Sequence, residues 1–198
     1  PFLLFSDPRL QGGAFYLGSD ELENKVKQTI QYYLDYLGLT SKDLILSGLS
    51  MGTFPSLYYG AAFAPRAVIV GKPLANIGTI ARRGRLEAPG VFNTSFDVLR
   101  HQTGGVSYQH MEDLDQTFWN DFKKADFSNT TFGLSYMKDE DMDSKAYEQL
   151  VEHLCYTGAK ILSKGTDGRH NDDTSTNVAW FLHFYRMILK SDFGRGDK

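Results

Sequence analysis

One serine in this chain stands in a setting that can make its hydroxyl a nucleophile. Ser50 is flanked by Gly48 and Gly52 in a Gly-x-Ser-x-Gly pattern. The apolar run of residues 44–46 precedes the pattern, and residues 51 to about 63 predict a helix after it. A serine in a sharp strand-to-helix turn presents its hydroxyl above the strand ends, and glycines beside it let the backbone turn without a Cβ clash. The context favours a nucleophile over an ordinary glycine-rich turn.

A serine hydroxyl needs a base within reach, and one of the five histidines stands where that base is expected. In strand–turn–helix serine enzymes the chain order is serine, acid, histidine. His170 follows the last predicted strand on a polar loop, as that order requires. His153 and His183 fall inside predicted helices, whereas His101 and His110 precede the acid-bearing strand. We therefore expect His170 to be the base.

The acid that orients the base is expected in an acidic loop, but spacing does not select one residue. Asp139, Glu140 and Asp141 all follow the penultimate predicted strand. Aspartate is the commoner acid in such triads. Any of the three carboxylates would hold one imidazole tautomer and stabilise the imidazolium. From the residues alone the choice stays open.

A tetrahedral intermediate also needs backbone donors for its oxyanion. The Met51 N–H follows the serine at a helix N-terminus and is one expected donor. The second is expected from the glycine pair Gly12 and Gly13, because paired glycines permit a close approach of backbone to ligand. An ordinary turn explains that glycine pair equally well.

Other chemistries find little support in the sequence. Cys155, the single cysteine, lies on the apolar face of a predicted helix and is expected to be buried rather than reactive. The chain contains no HExxH or CxxC pattern, no G-x-G-x-x-G and no P-loop. We predict no metal site and no bound cofactor.

The elements that must position these residues alternate between strand and helix. Apolar runs predict five strands, at residues 1–5, 44–46, 67–70, 130–136 and 159–162. The less regular stretch of about 74–129 is predicted to be a lid-like insertion, with short helices near 96–101 and 114–124. Such alternation indicates an α/β-hydrolase-like fold: a mostly parallel sheet with helices on both faces. We expect residues 1–198 to form one catalytic domain, as a fragment of a longer chain.

Composition narrows the class of protein. The 198 residues are 41% hydrophobic and carry a net charge of −3, which is typical of a globular domain. Binding of nucleic acid is not predicted, because that would need a concentrated basic face. The basic run at residues 82–85 is interpreted as a solvated turn. A single cysteine suits a reducing compartment. No apolar run approaches the roughly 20 residues that span a bilayer.

Three segments together resemble the accessory secretory protein 2 family, a component of the accessory Sec system of streptococci and staphylococci. They are LSGLSMGT at 46–53, YMKDEDMD at 136–143 and GRHND at 168–172. The first is a generic serine turn, and the other two carry the specificity. The resemblance covers essentially the whole chain, as the carboxy-terminal catalytic part of a longer protein.

The resemblance implies an O-acetyltransferase that modifies N-acetylglucosamine on serine-rich repeat glycoprotein adhesins and takes part in their export. It implies the triad Ser50, Glu140 and His170, and so selects Glu140 among the acids. The implied partners are other accessory Sec proteins, the motor ATPase and the glycoprotein substrate. The implied location is cytoplasmic, with peripheral association at the inner face of the membrane through the complex.

Two other functions remain open from the sequence. A carbohydrate esterase or deacetylase would use the same triad, because transfer and hydrolysis differ only in the attacking nucleophile. A mainly non-enzymatic export scaffold would use the aromatic-rich insertion for docking. No coenzyme A motif is visible, so the acetyl donor is left open, with acetyl-CoA as the candidate.

Overall fold

The chain is built on a parallel sheet. A computed structural model describes residues 1–10, 14–86, 95–172 and 175–195. Within these ranges, four strands pair in the order β1-β2-β3-β4, at Ile45–Leu49 (β1), Ala67–Gly71 (β2), Thr131–Met137 (β3) and Lys160–Thr166 (β4). The α-helices of the described residues are Asp20–Tyr36 (α1), Thr53–Phe63 (α2), Ile77–Leu86 (α3), Ser95–Thr103 (α4), Tyr108–Phe122 (α5), Asp141–Leu154 (α6) and Ser175–Phe193 (α7). The predicted α/β fold with a parallel sheet is confirmed.

The burial of each strand follows its place in the sheet. All five residues of β2 are buried, as expected for an inner parallel strand covered by helices. The edge strands β1 and β4 are partly exposed. On one side, Ala67 and Ile69 pack against Phe181, Phe184 and Ile188 of α7. The sequence runs that predicted the inner strands are therefore the runs that form the core.

Contacts divide the chain into two compact units. The sheet unit comprises residues 32–75 and 120–198, and the helical unit comprises residues 1–31 and 76–119. Within the helical unit, the Asp115 carboxylate on α5 accepts hydrogen bonds from the Gly78 N–H (2.7 Å) and the Thr79 N–H (3.1 Å) at the start of α3. Most of the predicted insertion at about 74–129 thus belongs to the helical unit, together with the first 31 residues.

The predicted first strand, at residues 1–5, is wrong. Residues 1–8 form neither strand nor helix, and the side chains of Phe2 and Leu4 are exposed. An apolar run becomes a strand only where a neighbouring backbone takes up its hydrogen bonds. In the part of the chain that the structure describes, no strand pairs with this run.

Helices in the irregular stretch are longer than expected. The short helix predicted near 96–101 is α4, and the one predicted near 114–124 is the second half of α5. The prediction missed α3 entirely. A glycine inside α3 lowers its intrinsic helix propensity, and its run of arginines interrupts the apolar pattern, so the sequence signal there is weak.

Candidate active site

Ser50 occupies a sharp turn between β1 and α2. The strand ends at Leu49, residues 50–52 form a short 3₁₀ turn, and α2 begins at Thr53. Ser50 has a φ of 51°, in the left-handed region that residues other than glycine rarely adopt. Backbone strain of this kind persists only where surrounding contacts hold it, and it is concentrated at functional sites. The turn has the conformation expected of a nucleophilic serine.

The two flanking glycines differ in their importance. A Cβ built at Gly48 would overlap the carbonyl of Gly52, so no side chain fits there. Gly52 has an ordinary helical φ of −68°, and a Cβ at this position would meet nothing within 4 Å. Only Gly48 is therefore required by the packing of the turn.

Thr53 holds the turn in place, a role that sequence reasoning missed. This side chain is fully buried. Its hydroxyl donates to the Ser50 carbonyl (2.6 Å) and accepts from the Leu74 N–H (2.9 Å). The strained peptide after the serine is thereby tied to the chain that follows β2. A threonine directly after the Gly-x-Ser-x-Gly pattern is the signal that could have suggested it.

His170 meets the serine. It lies in the loop between β4 and α7, with 1% of its surface exposed. The distance from Ser50 Oγ to His170 Nε2 is 2.6 Å, a short hydrogen bond. When the serine hydroxyl donates, Nε2 is the acceptor and Nδ1 carries the proton. That is the arrangement in which an imidazole can take the proton of an attacking serine.

The three candidate acids have different surroundings. Glu140, the residue before α6, is buried, whereas Asp139 and Asp141 are exposed. The Asp139 carboxylate accepts a hydrogen bond from the Gly168 N–H (2.7 Å), so one of its oxygens is already engaged by the loop that carries His170. The structure shows the Ser50–His170 hydrogen bond, whereas the choice of the acid that orients His170 stays a prediction.

A buried side-chain amide joins the two ends of the loop that carries His170. Asn177, in the first turn of α7, is fully buried. It accepts a hydrogen bond from the Ser135 hydroxyl (3.0 Å) and donates to the Thr166 hydroxyl (3.2 Å). Thr166 ends β4 and Asn177 lies near the start of α7, so this bond joins the two ends of the loop. Buried polar groups satisfied in this way favour one loop conformation.

The expected oxyanion donors are only partly described. Met51 lies in the 3₁₀ turn directly after Ser50, where the first N–H groups have no acceptor within the helix. Gly12 and Gly13 lie outside the described residues. Of the predicted oxyanion donors, Met51 lies in the described part of the chain, and its role as a donor stays a prediction.

The structure also bears on the predictions for Cys155, for metal binding and for membrane-spanning segments. The prediction that Cys155 is buried is wrong, because it lies one residue beyond α6 and its side chain is exposed. Within the described ranges, no cluster of three or more histidine, cysteine or carboxylate side chains could hold a metal ion. None of the described helices combines the length and the apolar character needed to cross a membrane.

Comparison with known sequences reveals close relatives. Residues 1–195 match the family model described as the accessory Sec system GspB-transporter, which is the accessory secretory protein 2 family. The chain is 54% identical over 195 residues to the member of this family from Streptococcus gordonii, covering 98% of this chain and 38% of that protein. It is 47% identical to the member from Staphylococcus aureus, covering 98% of this chain and 37% of that protein. The chain thus spans less than two fifths of these relatives.

Solved structures share the fold. The Glycosylation Associate Protein (Gap123) complex of Streptococcus agalactiae matches with a TM-score of 0.90 and 48% identity, over 96% of this chain and 37% of that one. A capsule O-acetyltransferase of Neisseria meningitidis serogroup A matches with a TM-score of 0.69 and 19% identity, over 93% and 73% of the two chains. An acylaminoacyl peptidase of Pyrococcus horikoshii matches with a TM-score of 0.55 and 10% identity, over 90% and 29%. The last two likenesses concern the fold alone.

Proposed function

The chain belongs to the accessory secretory protein 2 family of the accessory Sec system, and we propose that it carries the catalytic site of a serine-dependent O-acetyltransferase. The acceptor in this proposal is N-acetylglucosamine on serine-rich repeat glycoprotein adhesins. The observation that carries the proposal is the 2.6 Å hydrogen bond between Ser50 Oγ and His170 Nε2 at a strained strand-to-helix turn. A nucleophile paired with a base at this distance supports acyl transfer through a covalent intermediate.

The proposed reaction has two halves. In the first, Ser50 Oγ attacks the acetyl carbonyl of the donor while its proton passes to His170 Nε2. The negative charge that develops on the carbonyl oxygen is stabilised by the Met51 N–H. When the tetrahedral intermediate collapses, the bond to the donor's leaving group breaks, and that group takes the proton from His170. Acetyl-Ser50 remains.

In the second half, a sugar hydroxyl replaces water as the attacking group. His170 removes the hydroxyl proton as the oxygen attacks acetyl-Ser50. Collapse of this second intermediate forms the O-acetyl sugar ester and returns the proton from His170 to Ser50 Oγ. Hydrolysis follows the same route with water, so the choice of attacking group decides between transferase and esterase.

We assign Glu140 as the acid that orients His170. It is the buried member of the three candidate carboxylates, and a buried carboxylate stabilises an imidazolium more strongly than a solvated one. Asp139 is engaged by the Gly168 N–H, which argues against it. In this assignment the Glu140 carboxylate accepts a hydrogen bond from His170 Nδ1. Glu140→Gln is therefore expected to lower kcat by orders of magnitude, whereas Asp141→Asn changes it little.

Family membership also supports a place in an export assembly. The Gap123 structure is that of a complex, so we propose that this chain associates with other accessory Sec proteins. Action on the glycoprotein before export, alongside the motor ATPase at the inner face of the membrane, follows from the same proposal. Acetyl-CoA is the acetyl donor we propose to test first.

The deciding experiment compares Ser50→Ala with Ser128→Ala, an exposed serine of the same unit. Mass spectrometry of the exported glycoprotein is expected to show loss of O-acetyl groups only for Ser50→Ala. Unchanged acetylation in that strain would rule out the proposal. Purified protein is then given acetyl-CoA with and without a glycan acceptor. Turnover that ignores the acceptor indicates an esterase, and loss of export with Ser50→Ala in a folded protein would link catalysis to transport.

A further inference from the structure

The proposed base has to reach across the whole sheet. Ser50 follows β1, and His170 lies in the segment after β4, with β2 and β3 between them. Neighbouring strands lie about 4.8 Å apart, so three spacings separate β1 from β4 by about 14 Å. Yet the two side chains are 2.6 Å apart. The segment after β4, residues 167–172, must therefore cross the ends of β3 and β2, and we call it the base segment.

Asp139 supports the base segment where it crosses β3. The residue follows β3 by two positions, and its carboxylate accepts from the Gly168 N–H at 2.7 Å. The Asp139 N–H in turn donates to the Gly168 carbonyl at 3.2 Å. A carboxylate that accepts a backbone N–H makes a charge-assisted hydrogen bond, about twice as strong as a neutral one. The two bonds fix Gly168 over the end of β3.

Lys72 supports the base segment where it crosses β2. Its ammonium group donates to the carbonyl of His170 itself, at 3.1 Å. Lys72 has a φ of 58°, and its N–H donates to the Ser135 carbonyl at 2.7 Å, which holds this left-handed conformation against the sheet. Backbone strain of this kind is concentrated at functional sites, so the conformation of Lys72 points to a role for its side chain.

Lys72 and Ser50 stand at equivalent places on adjacent strands. Leu49 of β1 is paired in register with Gly71 of β2. Ser50 directly follows Leu49, and Lys72 directly follows Gly71. Both residues adopt the left-handed conformation. One presents its hydroxyl to the imidazole of His170, and the other presents its ammonium to the carbonyl of the same residue.

We propose that Lys72 and Asp139 are positioning residues that hold the base segment over β2 and β3 so that His170 reaches Ser50. The order of contacts along the segment follows the order of the strands: Gly168 over β3, then His170 over β2 and β1. Neither residue exchanges a proton with the substrate. The inference rests on the proposed role of the Ser50–His170 pair, but not on the identity of the acetyl donor or acceptor.

The test measures the reactivity of Ser50 directly in the intact protein. A fluorophosphonate probe phosphonylates a serine that has a working base and requires neither acetyl donor nor glycan. Lys72→Met removes the ammonium and Lys72→Arg keeps a charged donor; Asp139→Ala removes the acceptor and Asp139→Asn keeps a neutral one. Lys160→Met is the matched control, because the Lys160 ammonium pairs with Asp192 of α7 at 3.4 Å, outside the base segment.

Lys72→Met and Asp139→Ala are expected to slow labelling of Ser50 by about 10- to 100-fold, the cost of misplacing a catalytic group by about 1 Å. Lys72→Arg and Asp139→Asn should recover most of the rate, and Lys160→Met should match wild type. In acetyl transfer the loss should fall on kcat, with KM within about twofold, because the segment orients the base rather than binding substrate.

Labelling rates of Lys72→Met and Asp139→Ala within about twofold of wild type would overturn the proposal. If Lys72→Met does not fold, Asp139→Ala at an exposed carboxylate decides alone. If wild-type Ser50 is labelled but transfers no acetyl group, the proposed function fails while the positioning role is still measured. If wild-type Ser50 is not labelled at all, the pair is not activated and both proposals fall.

Discussion

Replacing Thr53 by valine tests whether the strained serine turn is held by one hydroxyl. Valine keeps the shape of threonine but removes the hydroxyl that bonds the Ser50 carbonyl and the Leu74 N–H. The site is fully buried, so water cannot replace the lost partners. A net hydrogen bond contributes about 1 kcal/mol, and an unpaired buried N–H costs about 1–3 kcal/mol more. The expected loss is about 2–4 kcal/mol in the free energy of unfolding.

The lower free energy of unfolding of Thr53→Val should appear as a lower thermal unfolding midpoint. For a domain of about 150–250 residues, each kcal/mol shifts the midpoint by about 2–4 °C, so Thr53→Val should lower it by about 4–16 °C. Thr53→Ser is the control, because it keeps the hydroxyl and loses one buried methyl group worth about 1 kcal/mol. Near-UV circular dichroism gives the midpoint, and fluorophosphonate labelling reports whether Ser50 is still presented to the base.

Two outcomes distinguish whether the Thr53 hydroxyl holds the serine turn. If Thr53→Val loses stability and labelling together while Thr53→Ser keeps both, the hydroxyl holds the turn. If Thr53→Val is no less stable than Thr53→Ser, the two hydrogen bonds carry no net free energy. The positive φ of Ser50 would then have to be maintained by other contacts, and the Thr53 hydroxyl would not be what holds the turn.

Three further predictions concern the flanking glycines of the serine turn, the buried amide of Asn177 and the carboxylate of Asp7. Gly48→Ala should prevent folding or lower the free energy of unfolding by several kcal/mol, because its Cβ overlaps the Gly52 carbonyl. Gly52→Ala should leave the free energy of unfolding unchanged or raise it by up to about 1 kcal/mol. Similar denaturation midpoints for the two variants would contradict this expectation. Asn177→Leu should cost about 2–4 kcal/mol, because the Ser135 hydroxyl loses its acceptor and the Thr166 hydroxyl loses a donor while keeping the Tyr136 carbonyl as its acceptor. Urea denaturation against Asn177→Gln measures this loss. The hydrogen bond from Arg9 holds the pKa of Asp7 well below its usual range, so its stabilising contribution is present above pH of about 4 and is lost as the pH falls further. Acid titration of the thermal midpoint should show a steeper fall for wild type than for Asp7→Asn, and parallel curves would contradict it.

The segments that carry Ser50 and His170 were accessible to sequence reasoning because local signals define them. A glycine–serine–glycine turn between an apolar run and a helix predicts where Ser50 stands, and chain order points to His170. The structure brings their side chains to 2.6 Å. Chain order could not choose among Asp139, Glu140 and Asp141, because burial depends on which way each side chain leaves the turn.

The supporting contacts were beyond the reach of sequence patterns. The bonds of Thr53 to Leu74 and of Lys72 to His170 join residues 21 and 98 positions apart. The first depends on the pairing of β1 with β2, and the second on the pairing of β2 with β3 and of β3 with β4. The run at residues 1–5 failed for the opposite reason. It has the local composition of a strand but no partner among the described residues.

His170 reaches Ser50 from the segment that follows β4, an edge strand. The proposed activity therefore depends on whether this edge of the sheet stays in place. β4 is an edge strand with several exposed residues, and edge elements open locally at lower free energy than inner strands. If β4 and the segment of residues 167–172 detach, Ser50 remains in its turn but is separated from His170, its proposed base. The active fraction is then set by docking of this edge rather than by global unfolding. We expect Ser50 labelling to decline at temperatures where amide hydrogens of β2 are still protected from exchange, and simultaneous loss of both would exclude such partial opening.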